Sequence, residues 1–220
     1  GEGDIQNPNH LGKPFLALTN PKLNPAETAL AQVKKLGFKP EDVQHIIPTH
    51  LDLDHAGGLP DFPRATVHVH YKEQEAALHP TWKEVARYRP AHFAHQPQWK
   101  VHRENGEKWF GFDGIRAIEG LDDEVLIIPL AGHTRGHCAV AVKTDTGWLV
   151  HAGDAYFHHA AMEFNGKQPA GIKIFEQMVQ INGPLRIENQ NRLRDLVNRP
   201  DSRVETFCAH DPDELDRYAA

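Results

Sequence analysis

Residues 49–58, THLDLDHAGG, place two histidines and two aspartates within six positions: His50, Asp52, Asp54 and His55. Neutral imidazoles and carboxylates bind divalent metal ions at about 2.0–2.2 Å, so the spacing predicts a metal site. A single Asp-x-Asp pair is more often a turn or a helix cap. Further ligands elsewhere in the chain are needed to decide between these two interpretations.

Three other segments each carry one candidate ligand: His133 in AGHTRGH, Asp154 in HAGDA and His210 in AHD. Each follows an apolar segment that predicts a strand, as the first cluster does. A lone histidine is usually an ordinary core or surface residue. Four clusters at strand ends favour a binding site, because α/β sheets build their sites at this edge. Two ions ~3.5–4 Å apart can share a bridging carboxylate, so the seven side chains suit a pair of metals.

Alternating strands and helices must position these side chains, and they predict the α/β class. A helix is predicted over residues 24–37, with Asn24 as its cap, Pro25 in its first turn and Gly37 at its end. The first ten residues have no strand pattern and are predicted to form a loop. Strands are predicted over 43–49, 65–70, 125–130, 137–144, 147–154 and 204–210, and helices over 71–78 and 172–198, the latter broken near 182–184.

Composition limits the class of protein. The 220 residues fit a single domain, residues 1–220. The net charge of −6 argues against a nucleic-acid partner, which requires a basic surface. The apolar segments are too short to cross a membrane, and no basic and apolar leader opens the chain. We expect the two cysteines, Cys138 and Cys208, to be free buried thiols in a reducing cytoplasm.

The motifs THLDLDHAGG, AGHTRGH, HAGDA and AHD, in this order, resemble those of the metallo-β-lactamase superfamily. They look most like its quorum-quenching N-acyl homoserine lactonase branch, and the resemblance spans residues 5–211. It implies an αββα sandwich and two metal ions with a hydroxide between them as the nucleophile. The implied ligands are His50, Asp52 and His133 for the first metal, Asp54, His55 and His210 for the second, and Asp154 bridging both.

Two departures from the family pattern stand out. Histidine is usual at the position of Asp52, whereas the related flavodiiron proteins carry a glutamate there and use iron. A carboxylate adds negative charge and favours harder metals such as iron or manganese. Asp52 fits equally a zinc ligand or a hydrogen-bond acceptor behind the ligands; zinc is the metal expected overall. The second departure is the opening GEGDIQNP, which resembles sequence that follows the family's first hairpin, so we expect the first N-terminal strands to be missing.

Other residues near the motifs have competing interpretations. Tyr156 lies two residues after Asp154, whereas the lactonases place a carbonyl-polarising tyrosine at three, where Phe157 stands here; the resemblance still makes Tyr156 a candidate catalytic residue. We expect a structural hydrogen bond from His137, and burial for Cys208. The remaining histidines of interest are His68 and His70, predicted to be structural, and His158 and His159, predicted at the site mouth or on the surface.

Residues 79–110 read as an aromatic-rich insertion that contains Trp82, Trp99 and Trp109. One interpretation is an extra helical layer that packs its aromatic side chains into the core. Another is the wall of an apolar pocket beside the metals. A third is a contact in a homodimer, since aromatic and arginine side chains are enriched at interfaces.

These features predict a metal-dependent hydrolase of a small molecule with an ester-type bond, most nearly a lactone. The metals would polarise the carbonyl and lower the pKa of a bound water to about 7, while Asp54 and Asp154 could take up the proton. A glyoxalase II-like thioesterase and a phosphodiesterase are the alternatives within hydrolases. A diiron redox protein and a metal-binding protein without catalysis are the alternatives of another class.

Overall fold

The ligand motif at residues 49–58 lies in sequence between two strands that pair in parallel, and a larger sheet carries the other motifs. The computed structural model describes residues 3–103, 107–116 and 124–218. The chain divides into a first unit, Gly1–Val69 with Gln74–Val101, and a second unit, His70–Glu73 with His102–Ala220. Strands and helices are mixed throughout, which confirms the predicted α/β class. A single domain with an insertion at 79–110 stays a prediction.

The first unit is organised on a three-stranded sheet in the order β1-β2-β3. Strand β1 runs parallel to β2, with His45 opposite Thr66. Leu51, Val67 and Tyr88 belong to the hydrophobic cluster of this unit. The strands are β1 (His45–Ile46), β2 (Thr66–His70) and β3 (Gln98–His102); the helices are α1 (Pro8–Leu11), α2 (Lys13–Thr19), α3 (Ala29–Lys35) and α4 (Leu53–Ala56), and α5 (Tyr71–Leu78) follows β2.

The second unit contains a six-stranded sheet in the order β4-β5-β6-β7-β8-β9. Neighbouring strands are antiparallel except the last pair, β8 and β9, which are parallel. Its strands are β4 (Glu107–Trp109), β5 (Phe112–Arg116), β6 (Val125–Pro129), β7 (Cys138–Lys143), β8 (Trp148–His151) and β9 (Val204–Phe207); its helices are α6 (Ala170–Val179), α7 (Gly183–Val197) and α8 (Pro212–Leu215).

Two early predictions need correction. The predicted helix over 24–37 is a short 3-10 turn, Pro25–Glu27, followed by α3, because Thr28 is extended and its hydroxyl caps α3 instead. Asn24 does cap the first turn, and Gly37 does end the segment with a φ of 88°. The predicted loop over the first ten residues contains α1, because Asn7 accepts the amide of Asn9 and so starts a turn.

The strand predicted over 43–49 is confined to β1. Pro48 lacks an amide N–H, so it cannot continue a hydrogen-bonded ladder. The five other predicted strands and the two helices predicted over 71–78 and 172–198 lie close to their observed positions, including the break between α6 and α7 at Asn182. Among the described residues, no helix combines the length and apolar character needed to span a bilayer.

In the described part of the aromatic segment at 79–110, no helical layer is present. Its described residues contain a 3-10 turn, Pro90–Phe93, and two strands, β3 and β4; residues 104–106 lie outside the described part of the chain. Trp109 is buried in the core of the second unit, with its ring 5.5 Å from that of Trp148. Trp99 packs against the cluster of the first unit, whereas Trp82 is 83% exposed. Core packing is therefore confirmed for Trp109 and wrong for Trp82.

Candidate metal centre

The first ligand cluster lies where the chain leaves the buried residue Leu51 and turns into α4. The carbonyl of Asp52 accepts the amides of His55 at 2.9 Å and Ala56 at 2.8 Å, so the turn folds the second half of the motif back beside the first. The rings of His50 and His55 are 4.0 Å apart. The turn therefore collects side chains that alternate along the sequence.

Donor atoms in this cluster have the spacing of ligands around an ion. Two ligands each ~2.1 Å from a tetrahedral metal lie roughly 3.4 Å from one another. His50 Nε2 is 3.5 Å from Asp52 Oδ2, and His55 Nε2 is 3.6 Å from Asp54 Oδ2. The hydroxyl of Thr49 lies 3.0 Å from His50 Nδ1 and orients the ring.

Asp52 also binds an arginine that sequence reasoning missed. Arg87 Nε donates to Asp52 Oδ1 at 2.9 Å, and Arg87 Nη2 donates to Asp52 Oδ2 at 2.5 Å. The two residues are 35 positions apart and no local pattern links them. The sequence could show that position 52 is unusual, but not that its charge is compensated.

The second unit brings together three predicted ligands. One oxygen of Asp154, Oδ2, lies 3.4 Å from His133 Nε2 and 3.2 Å from His210 Nε2. Asp154 and His133 are buried, whereas the side chain of His210 is 36% exposed. Each of these two distances is the spacing of two ligands on one metal, and a carboxylate between two imidazoles could bridge two ions.

The strand order explains why Asp154 meets His210. Strands β8 and β9 are parallel, so both end at the same edge of the sheet. The amide of Ala152 donates to the carbonyl of Phe207 at 2.8 Å, and the amide of Ala209 donates to Gly153 at 3.0 Å. Gly153 has a φ of 54°, in the left-handed region that favours glycine. The backbone thus fixes both side chains just beyond the ladder.

His137 holds this arrangement without being one of the predicted ligands. Its Nε2 accepts the backbone amide of Asp154 at 2.9 Å, so the proton resides on Nδ1, which donates to the carbonyl of Leu130 at 3.1 Å. This confirms the structural hydrogen bond predicted for His137.

Glu73 holds the loop that carries His133. Its Oε2 accepts the hydroxyl of Thr134 at 2.6 Å and the amide of Gly136 at 3.1 Å, and its side chain is buried. A Cβ on Gly136 would lie 2.1 Å from the amide nitrogen of Glu73, so only glycine fits there. Sequence reasoning missed Glu73. Its position in the first turn of α5, directly after β2, was the available signal.

Phe157 provides an apolar face against two of the ligands. Its ring stacks on His210 with centroids 5.0 Å apart and planes 10° apart, and meets the ring of His133 edge-on at 5.8 Å. The amide of Phe157 donates to Glu176, whose pKa is raised by burial and lowered in part by the nearby Arg186. Phe157 therefore restricts the orientation of both imidazoles.

The comparison with known proteins places the chain in a family. Residues 22–189 match the model of the metallo-beta-lactamase superfamily. The chain belongs to the metallo-β-lactamase superfamily. It is 37% identical over 214 residues to a probable metallo-hydrolase of Mycobacterium tuberculosis, covering 97% of this chain and 69% of the relative. It is 33% identical over 123 residues to an N-acyl homoserine lactonase of Rhizobium radiobacter, covering 56% of this chain and 44% of the relative.

Two solved structures share the fold. An N-acyl homoserine lactone hydrolase, with the product N-hexanoyl-L-homoserine at its catalytic metal center, has a TM-score of 0.67 at 22% identity and covers 90% of this chain and 67% of its own. A probable metal-dependent hydrolase from Staphylococcus aureus has a TM-score of 0.68 at 16% identity, and the match covers 96% of this chain and 68% of the hydrolase. The chain thus spans about two thirds of the length of the mycobacterial relative and of the lactone hydrolase.

Tyr156 lies in the core of the second unit rather than on a surface. Its hydroxyl donates to the carboxylate of Glu214 at 3.1 Å and lies 3.5 Å from the hydroxyl of Thr206. Burial, reinforced by the charge of Glu214, raises the pKa of this phenol far above its usual range. The catalytic role of Tyr156 stays a prediction, and this geometry does not support it.

We expect Tyr156→Phe to lower the free energy of unfolding by about 1–3 kcal/mol, because Glu214 would lose a buried donor. Tyr218→Phe is the matched control: its hydroxyl donates to Glu205 at an exposed position, so its loss should cost less than ~0.5 kcal/mol. Denaturant unfolding of both variants measures the difference. Equal stability together with a large fall in kcat for Tyr156→Phe would restore the catalytic interpretation.

The remaining singled-out residues have hydrogen-bonded roles. His159 Nδ1 lies 2.8 Å from Asp211 Oδ2, which also accepts the amide of His159, and His158 Nδ1 accepts the amide of Ala160. Burial would raise the pKa of Asp211, but these bonds lower it. His68 Nε2 lies 2.9 Å from His45 Nδ1, so its structural role is confirmed. The two cysteines are buried free thiols, as predicted, and His70 is buried.

Proposed function

We propose that the chain is a metal-dependent hydrolase that opens a lactone. The observation that carries the proposal is the position of Asp154 Oδ2 between His133 Nε2 and His210 Nε2, at the shared end of two parallel strands. Membership of the metallo-β-lactamase superfamily and a relative named as a probable metallo-hydrolase support the hydrolase class.

The donor sets of both units fit divalent metals, because neutral imidazoles and carboxylates lie at ligand spacing in each. We infer two ions per chain, with zinc as the metal. The order of the motifs along the chain, which resembles that of the metallo-β-lactamase superfamily, supports this inference. In this proposal the ligands are His50, Asp52, Asp54, His55, His133, Asp154 and His210.

When bound, two divalent ions would polarise a carbonyl group and bring the pKa of a water near 7. The chain's own residues prepare for this chemistry. His137 and Glu73 hold Asp154 and the His133 loop in place. The ring of Phe157 keeps water from one face of His210. Asp54, which remains partly exposed, and Asp154 are the carboxylates that would take up the proton.

The lactone assignment is supported by relatives and structural neighbours named as N-acyl homoserine lactonases or hydrolases. It implies a small-molecule substrate. A cytoplasmic location and a homodimer remain predictions.

A substrate panel tests the proposed function. Zinc-loaded protein and protein stripped with a chelator are compared on N-acyl homoserine lactones of increasing chain length, an S-acyl thioester and a phosphodiester. We expect lactone opening that disappears on stripping and returns with zinc. Asp154→Ala, purified in the same way, controls for a contaminating hydrolase. Turnover of the thioester alone would contradict the lactone assignment. No turnover of any substrate would contradict the proposal that the chain is a hydrolase.

A further inference from the structure

The Asp52–Arg87 ion pair is built into the first unit. The side chains of Asp52 and Arg87 are 13% and 12% exposed, and the guanidinium donates to both carboxylate oxygens. Planar arginine matches a carboxylate in this paired geometry, and such charged hydrogen bonds are roughly twice as strong as neutral ones. The pair therefore defines the orientation of the Asp52 carboxylate.

Both partners are fixed by the backbone next to them. Leu51 and Tyr88, the neighbours of Asp52 and Arg87 in sequence, are buried in the same hydrophobic cluster. Glu84 closes the turn before Arg87: its carboxylate accepts the amide and hydroxyl of Thr81, and its carbonyl accepts the amide of Arg87 at 2.8 Å. The contact does not depend on two mobile surface side chains.

The carboxylate of Asp52 can serve Arg87 and a metal together. Each carboxylate oxygen has two lone pairs, and the arginine occupies one edge of the group. The oxygen Oδ2 also lies 3.5 Å from His50 Nε2, the spacing of two ligands on one ion. Arg87 therefore neutralises Asp52 without removing it from the position of a ligand.

We propose that the Asp52–Arg87 pair acts as one neutral donor, equivalent in charge to an imidazole, and that Arg87 is a positioning residue that sets which metal is retained. An isolated carboxylate would add a negative charge and favour harder metals such as manganese or iron. With its charge compensated, the donor set keeps a preference for zinc. This inference rests on the proposed function only for the presence of a metal.

The test is a double-mutant cycle on metal binding. The proteins are the unaltered chain, Asp52→His, Arg87→Met, the double variant and Arg87→Lys. Arg89→Met is the control, because its half-buried guanidinium bonds to the carbonyl of Asn9 instead. Zinc and manganese affinities of metal-free protein are measured by competition with a chromophoric chelator, and metal-free Tm by thermal unfolding.

We expect Asp52→His alone to bind zinc about tenfold more weakly at one site, because the positive charge of Arg87 would then lie beside the metal without the carboxylate of Asp52. The double variant should recover zinc affinity to within about threefold of the unaltered protein. Arg87→Met should shift preference toward manganese by about tenfold, and Arg87→Lys, which keeps the charge, should not. The metal-free Tm of Arg87→Met should fall on the order of 10 °C, since a buried carboxylate loses its partner.

Two results would overturn the inference while the proposed function stands. One is additive effects of the two substitutions on zinc affinity. The other is an unchanged zinc-to-manganese preference in Arg87→Met, which would make Arg87 a structural partner only. An unchanged metal-free Tm in that variant would show that the pair does not form. If the unaltered protein, prepared without metal, bound no zinc, both the proposed function and this inference would be wrong.

Discussion

Asp154→Ala should lower kcat/KM by on the order of 10³-fold, equivalent to ~4 kcal/mol of transition-state stabilisation. Its Oδ2 lies between His133 Nε2 and His210 Nε2, so its loss removes the oxygen shared by two imidazoles. The backbone bond from Asp154 to His137 does not need the side chain, so the fold should survive. Steady-state kinetics on the substrate identified by the panel measure the effect.

Asp201→Ala is the matched control, because Asp201 is an exposed carboxylate in a turn. It should change kcat/KM by less than ~2-fold. Asp154→Asn keeps the size of the side chain and should still lose most activity, because the charge is removed. If Asp154→Ala retained near-normal turnover while both variants remained folded, the role of Asp154 as a shared ligand would be wrong.

Glu73→Ala should lower the free energy of unfolding by about 3 kcal/mol and weaken zinc binding. The substitution leaves the hydroxyl of Thr134 and the amide of Gly136 without a buried acceptor. Because the same loop carries His133, we expect a wider range of positions for that imidazole and faster loss of zinc to a chelator. Denaturant unfolding and the rate of zinc loss measure the two effects.

Glu75→Ala provides the control for this variant, since Glu75 lies on the same helix, α5, but is exposed. The free energy of unfolding of Glu75→Ala should lie within about 0.5 kcal/mol of that of the unaltered protein. A stable Glu73→Ala protein that released zinc at the normal rate would show that the loop is fixed by other contacts.

The candidate ligands could be predicted because the information is local. His50, Asp54 and their neighbours follow a short apolar segment, and His133, Asp154 and His210 each follow another. Because β8 and β9 are parallel, their ends bring Asp154 and His210 together. A pattern of residue types at strand ends is therefore sufficient to predict candidate ligands, whose role in metal binding stays a prediction.

The residues that support the ligands could not be predicted in the same way. Arg87 reaches Asp52 from a position 35 residues away, and Glu73 reaches Gly136 from 63 residues away. These partners depend on how separate segments pack, which periodicity does not encode. The same limit explains Tyr156: its position near Asp154 suggested catalysis, but its hydroxyl is directed to Glu214 by the packing of α8.

Local predictions also failed where one residue overrode a pattern. Thr28 interrupts an otherwise periodic helix because its hydroxyl caps the following turn. In the aromatic segment, β3 and β4 were missed, since charged and aromatic residues are mixed there without clear alternation. Tryptophan content alone did not distinguish the buried Trp109 from the exposed Trp82.

The most direct test of a two-metal hydrolase is the metal content of the chain. Protein is stripped with a chelator, reloaded with excess zinc, passed over a desalting column, and analysed for zinc by elemental analysis against a protein concentration from amino-acid analysis. We predict two zinc ions per chain, falling to one or none in Asp154→Ala. One zinc or none in the unaltered, folded protein would contradict the two-metal centre.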